Sequence, residues 1–313
     1  MQTESSARKL DGKATAKAIH QEVAKGCAEL QENHGVRPGL TVVLVGEDPA
    51  SQIYVRNKEK SATEVGMKSE ALRLPADTSE AEILDTVRRL NDDPSVHGIL
   101  VQLPLPEGVD SQKVIETIAP EKDVDGFHPY NTGRLLTGLP GLVSCTPFGI
   151  IELLKRYEVP MSGKHAVVIG RSNIVGKPLA VLLLRENCTV TICHSRTQDL
   201  PGIASSADIL LAAIGRPAMI TREYIKPGAV VVDVGIHRVE DEATCRELFG
   251  DNERRLRAVQ KRGATLVGDV HPQHMLERAS AYTPVPGGVG PLTIALLLQN
   301  TLQAARESVG AAS

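Results

Sequence analysis

Short apolar runs that end in glycine or a turn, each followed by a helix-compatible stretch, recur along this chain. They restrict its fold more than any other feature. LTVVLVG (40–46), HGILVQLP (97–104) and KHAVVIG (164–170) are followed further on by CTVTICH, ADILLAA and AVVVDVG. Strand-sized segments alternating with helical ones predict parallel sheets covered by helices. The pattern therefore predicts an α/β chain, and 313 residues suffice for two such domains.

The spacing predicts a helix over 11–33, with Ala14, Ala18, Ile19, Val23 and Cys27 along a partly apolar stripe. After the 40–46 strand, Asp48 is a candidate N-cap with Pro49 in the first turn. That helix carries Tyr54 and Lys58 and stops near Gly66. A strand near 67–74, a helix near 79–91, a strand over 97–103 and a short helix near 110–117 follow, and 121–145 reads as loop. A helix over 147–157 leads into the second series, which starts with the 164–170 strand and a 175–187 helix. The charged stretch 238–263 is mostly helix-compatible and reads as a solvated surface excursion. TPVPGGVGPLTIALLLQNTLQAA closes the chain as a Pro/Gly loop and an apolar helix. The expected domains are 1–146, a Rossmann-like 147–282, and 283–313 returning to the first.

Composition excludes several function classes. With 38 acidic and 35 basic side chains, the formal charge of −3 gives no coat for nucleic acid or an anionic membrane. Three Phe, five Tyr and no Trp leave little for a base-stacking platform. The five cysteines have neither a CxxC pair nor a zinc-ligand rhythm, so free thiols and no metal are expected. No run approaches ~18 apolar residues, and the first residues hold no apolar signal core. The expectation is a soluble cytoplasmic protein.

Two groups of residues point to chemistry. In VVIGRSNIVGKPLA, Gly170, Ser172 and Gly176 occupy a turn between strand and helix, where missing Cβ atoms and free amides suit a phosphate. Ser172 stands where a fuller glycine pattern has its middle Gly, so the turn alone is ambiguous. The next strand ends in CHSRT, which places Ser195 and Arg196 where NAD sites carry a carboxylate. Arg171 adds a second cation, so NADP is favoured over NAD. Asp199 reads as a local cap. The second group starts from Tyr54 and Lys58, four apart on one helix face. By itself this pair reads first as a packed aromatic beside a solvated lysine. Gln102 ends a strand and Asp125 sits in DVDGF, both places where α/β folds gather ligands; Asp123 competes with Asp125.

Taken together, YVRNKEK (54–60), GILVQLPLP (98–106), PEKDVDGFHP (120–129), GRSNIVGKP (170–178), HSRT (194–197) and TPVPGGVGPLT (283–293) carry a family signature. From about residue 10 to 303 the chain resembles the bifunctional methylenetetrahydrofolate dehydrogenase/methenyltetrahydrofolate cyclohydrolase family. The resemblance implies two α/β domains flanking a cleft, NADP as cofactor, tetrahydrofolate derivatives as substrates and a homodimer. It implies that Lys58 is catalytic, that Gln102 bonds it and adjusts its protonation, that Tyr54 stacks along the folate and that Asp125 anchors the pterin edge. Val101 and Leu103 line or support the folate site, and Pro286, Gly287 and Gly288 form a loop near it. Gly170, Arg171, Ser172, Ile174, Gly176, Ser195, Arg196 and Ile236 surround the cofactor. The 238–263 segment is longer than the short excursion expected in this family.

Overall fold

The computed structural model describes residues 7–311. The outermost ends of the expected domains, residues 1–6 and 312–313, lie outside the described residues. The chain opens with β1 (Arg8–Lys9) and α1 (Gly12–His34), then β2 (Gly39–Val45). Next is α2 (Pro49–Glu64), where the Asp48 side chain accepts a hydrogen bond from the Ser51 N–H at 2.7 Å and Pro49 fills the first turn. β3 (Lys68–Leu74), α3 (Glu80–Asp92), β4 (Gly98–Val101) and α4 (Ser111–Thr117) continue the alternation. Ser79 and Glu82 close a reciprocal capping box at the start of α3.

The stretch expected to be loop contains a helix, α5 (Pro129–Thr137), capped by His128 and ended by Gly138 in the left-handed conformation. Only Asn131 and Leu135 of α5 are buried, so it shows almost no apolar period. The chain proceeds through α6 (Cys145–Arg156), β5 (His165–Ile169), α7 (Gly176–Arg185), β6 (Thr189–Cys193), α8 (Leu200–Ala204), β7 (Ile209–Ala212) and β8 (Val230–Asp233). Asp199 caps α8 as expected, accepting from the Gly202 N–H.

The 238–263 stretch holds more than solvated surface. β9 (His237–Val239), α9 (Glu242–Phe249), α10 (Glu253–Arg262) and β10 (Thr265–Val267) surround a small core of Val239, Cys245, Leu248, Leu256, Val259 and Val267. Two apolar residues three apart in each helix suffice to bury one face, and charge covers the rest. α11 (Pro272–Arg278), β11 (Ala281–Tyr282) and α12 (Gly290–Ser308) complete the chain.

Two compact units emerge. One comprises Ala16–Cys145 and the chain from Thr293 onward; the other comprises the residues up to Thr15 and Thr146–Leu292. The first contains a parallel sheet of order β3-β2-β4, with a core of Val43, Val45, Ile83, Leu84, Val87, Ile99 and Val101 among others. The second contains a parallel sheet of order β1-β11-β8-β7-β5-β6 and its own core. Two expected assignments therefore change. Residues 8–15 cluster with the second unit because β1 pairs with β11. The loop 283–289 does so because Thr283 Oγ1 accepts from the Asp233 N–H at 2.8 Å and Gly287 O from the Lys13 N–H at 3.1 Å.

Candidate active site

In the first unit the strand order reverses at β2, and ligands of open α/β sheets gather beyond the strand ends at such a point. Loops from β2 and β4 meet there. The β2 loop leads into α2, which buries Lys58 to 9% exposure and leaves Tyr54 48% exposed one turn earlier. The β4 loop presents Gln102, whose backbone N–H donates to Val43 O at 2.8 Å. Lys58 Nζ donates to Gln102 Oε1 at 3.0 Å. The other end of that amide is committed: Gln102 Nε2 donates to Leu103 O at 2.7 Å. The oxygen therefore faces the amine by construction.

Asp125 completes the group. The bridge between Ile99 and Asp123 lays the DVDG segment alongside β4. Burial pushes the Asp125 carboxyl above its ordinary value, and the charge of Lys58 opposes that shift. Asp123, the competing ligand, has a structural task. Its carboxylate accepts from the N–H groups of Phe127 and His128 at 3.2 and 2.9 Å and from Asn131 Nδ2 at 2.9 Å. Burial still raises it to about 6. Val101 is 5% exposed and packs into the sheet core, so it supports the site from below. Leu103 is half-buried at the strand end.

Sequence reasoning missed Asn300 and Cys145. Asn300 lies on α12 and is 1% exposed. Its Nδ2 donates to Val124 O and Val143 O, both at 2.9 Å, while Cys145 Sγ donates to Val124 O at 3.2 Å. These bonds fix the backbone beside Asp125. No sequence signal marks them, since Asn300 and Val124 are 176 positions apart.

In the second unit the strand order reverses at β5. Gly170 leaves β5 with φ +137°, and a Cβ there would stand 2.3 Å from Ala213 O at the end of β7. A Cβ on Gly176 would stand 2.2 Å from Gly170 O. The turn is thus too close-packed for any side chain at either glycine. Ser172 Oγ accepts from the N–H groups of Val175 and Gly176, at 3.1 and 3.3 Å. Arg171 and Ile174 are exposed on the same turn. Ser195 and Arg196 are exposed in the turn after β6, where the Arg196 N–H donates to His194 Nδ1 at 3.2 Å. No carboxylate stands in the Cys193–Thr197 turn. The close-packed glycine turn and the cationic, carboxylate-free strand end fit a dinucleotide with an extra phosphate.

Ile236 is exposed just past β8. Two buried carboxylates, again missed from sequence, hold the loops around it. Asp233 accepts from the N–H groups of Gly235, Asp269 and Val270 at 3.0, 2.8 and 2.9 Å. Asp269 accepts from those of Ile214, Gly215 and Arg216 at 2.7, 3.2 and 3.0 Å. Burial raises Asp233 to about 7 despite its three donors. Pro286, Gly287 and Gly288 lie in this second unit, docked on the start of α1. Within the first unit Lys58, Tyr54, Gln102 and Asp125 are brought together; the 286–288 loop is not among them.

A buried lysine–amide–carboxylate group on one α/β unit and a phosphate-type glycine turn on another define a dinucleotide-dependent enzyme of the α/β class. The comparisons with known proteins make that particular. Residues 10–125 match the family model of the tetrahydrofolate dehydrogenase/cyclohydrolase catalytic domain, and residues 144–309 match that of its NAD(P)-binding domain. The chain belongs to the tetrahydrofolate dehydrogenase/cyclohydrolase family. It is 55% identical over 297 residues to the bifunctional protein FolD of Koribacter versatilis, covering 95% of this chain and 96% of that one. Among solved structures it is similar to the bifunctional FolD enzyme of Campylobacter jejuni, with a TM-score of 0.87, 42% identity and coverage of 96% and 99%. The Trypanosoma brucei enzyme, solved with NADP cofactor and an inhibitor, gives a TM-score of 0.87 at 39% identity and coverage of 97% and 99%.

Proposed function

We propose that this chain uses NADP+ to oxidise 5,10-methylenetetrahydrofolate to the 5,10-methenyl cation and then hydrolyses the cation to 10-formyltetrahydrofolate, both steps being reversible. The observation that carries the reading is the Lys58–Gln102 contact in a buried position beside Asp125.

NADP+ supplies the hydride acceptor. Around it, the glycine turn at 170–176 accommodates the diphosphate, while Arg171, Ser195 and Arg196 read the additional phosphate. No side-chain base is required for hydride loss, because a folate nitrogen lone pair forms the new C=N bond as the hydride leaves. Hydrolysis does need one. Water adds to the methenyl carbon and loses a proton, then the carbon–nitrogen bond at N5 breaks and N5 gains a proton. Lys58 in its neutral form takes the first proton and returns it to N5, while the carbinol O–H gives its proton to solvent as the C=O forms, so the cation's charge leaves as one released proton and none stays on the amine. Gln102 aims that amine, and its own orientation is held by Leu103 O. The Asp125 carboxylate accepts N–H groups of the pterin edge, and Tyr54 stacks along the folate. The reading also includes Pro286–Gly288 beside the folate, a cytoplasmic location and a homodimer formed through the nucleotide-binding units. Among the described residues no helix is long and apolar enough to cross a membrane.

A coupled absorbance assay of Lys58→Met, following reduced dinucleotide and the methenyl species together, tests the core of this reading. Hydrolysis of methenyltetrahydrofolate should fall by roughly 10²–10⁴-fold, the usual worth of a general acid–base group. The NADP+ binding isotherm should stay at the wild-type value. Wild-type hydrolysis by the variant at neutral pH would remove Lys58 from the mechanism.

A further inference from the structure

A cavity of about 620 Å³ opens on the second unit, and none of the residues assigned to NADP lines it. Its wall includes six cations, Lys9, Lys13, Arg238, Arg254, Arg255 and Arg262, against one carboxylate, Asp11. The chain as a whole carries a formal charge of −3, so this is a local concentration and no reflection of a basic protein. Two of the cations are neutralised: Lys9 pairs with Asp11 at 2.7 Å and Arg238 with Glu240 at 2.9 Å. Among the described residues no carboxylate pairs with Lys13, Arg254, Arg255 or Arg262.

Arg255 is the informative member. Its guanidinium is half-buried and rigidly held, yet only by neutral groups. Nη1 donates to Leu266 O at 2.9 Å and Thr265 Oγ1 at 3.2 Å, Nη2 donates to Val285 O, and the Phe249 ring lies 4.5 Å beneath Cζ. Burial, then the neighbouring Arg254 charge, hold its pKa below the ordinary value. A desolvated cation without a counter-ion is costly, and an incoming anion would offset that cost. The rest of the wall suits such an anion. Arg254, Ala258 and Arg262 recur at i, i+4 and i+8 along α10, so two guanidinium groups flank a small residue on one face. Arginine forks match phosphate and carboxylate oxygens in pairs.

We propose that this cavity binds a small polyanion, one carrying two or more phosphate or carboxylate groups, through Arg254, Arg255, Arg262 and Lys13. Two sources share that chemistry: a free polyanion, or the carboxylates on the glutamyl end of the folate substrate. The second rests on the proposed function, which puts Pro286 and Gly287 beside the folate, since both also line the cavity.

The test is calorimetric titration of inorganic tripolyphosphate into the full chain, saturated with NADP+ so that the cofactor's phosphate sites are filled. It is run at about 50 mM salt to limit screening. Wild-type protein should show one saturable site per chain. Removing both exposed guanidiniums in R254A/R262A should weaken it at least tenfold. The control R257A/K261A, which takes the same charge from elsewhere on α10, should stay within twofold of wild type. Competition by tetrahydrofolate would assign the site to the substrate's own carboxylates; simultaneous binding would assign it to a free polyanion. No saturable heat in wild type, or equal weakening in both double variants, overturns the proposal. Binding is read directly, so a failure of Lys58 as the catalytic base would leave this result unchanged.

Discussion

Burial and the Lys58 charge act on Asp125 in opposite directions, and this makes the acid side of the pH profile informative. Burial raises the Asp125 carboxyl, while the Lys58 charge draws it back. As a pterin anchor it accepts a pair of N–H groups only when ionised, because protonation turns one of its two oxygens into a donor. Below its pKa it is protonated and that acceptor is lost. Folate kcat/KM should therefore fall as pH drops through a value above the ordinary aspartate figure of 3.8. In Asp125→Asn the limb should vanish and the plateau should drop. A pH–rate profile in which the limb survives this substitution would place the anchor elsewhere. On the cofactor side, a charge-assisted hydrogen bond contributes about 1.5–3 kcal/mol. Arg196→Ala should then raise KM for NADP+ by roughly 10–100-fold and barely change that for NAD+. Equal losses with both dinucleotides would show that Arg196 does not read the phosphate. The placement of Tyr54 and Lys58 on one helix and of Arg196 just past a strand is legible in the sequence, because helix period and strand-end position are local properties. Asn300, Asp233 and Asp269 are not, because each acquires its task only when distant backbone is folded against it.

Elements differ in legibility for a physical reason. α2 announces itself through Asp48 and Pro49, which satisfy its first turn before any packing occurs. α5 has no such advertisement: Gly133 interrupts it and only two of its side chains face the core. The helical character of α9 and α10 is legible, but their core is hidden by charge, since four buried apolar side chains are scattered among many ionised ones. α12 was visible as a helix, but its most specific contact was not. Asn300 supplies hydrogen bonds to Val124 O and Val143 O; without it Val143 O loses its bond and Val124 O keeps only the weak donor Cys145 Sγ. Such a loss costs about 1–3 kcal/mol. Asn300→Ala should lower stability by about 1–3 kcal/mol on that basis, measured by urea unfolding. It should also raise the folate KM, because the backbone beside Asp125 loses its tether. An unchanged folate KM in a destabilised variant would confine Asn300 to stability.

At the scale of the molecule, neither unit is a continuous piece of chain. The catalytic unit needs Ala16–Cys145 and also the chain beyond Thr293, separated by nearly the whole nucleotide-binding unit. The returning part of α12 is no decoration. Leu296, Leu297, Leu298, Asn300, Thr301 and Leu302 are all at most 5% exposed. Two glycines admit it closely: a Cβ on Gly98 would stand 3.1 Å from Thr301 Oγ1, and one on Gly26 would stand 2.6 Å from Leu302 Cδ2. Each buried leucine contributes about 1.5–3 kcal/mol relative to exposure, so four together are comparable with the roughly 5–15 kcal/mol by which an ordinary domain is stable. Contacts between residues so far apart in sequence also form late, after long loops have closed. A chain ending at Leu292 should therefore keep its nucleotide-binding unit and lose its catalytic one. Limited proteolysis should leave a resistant fragment spanning about residues 146–292 that still binds NADP+, while 16–145 is digested. Survival of 16–145 with the resistance it has in the full chain would mean that the first unit's core closes without α12.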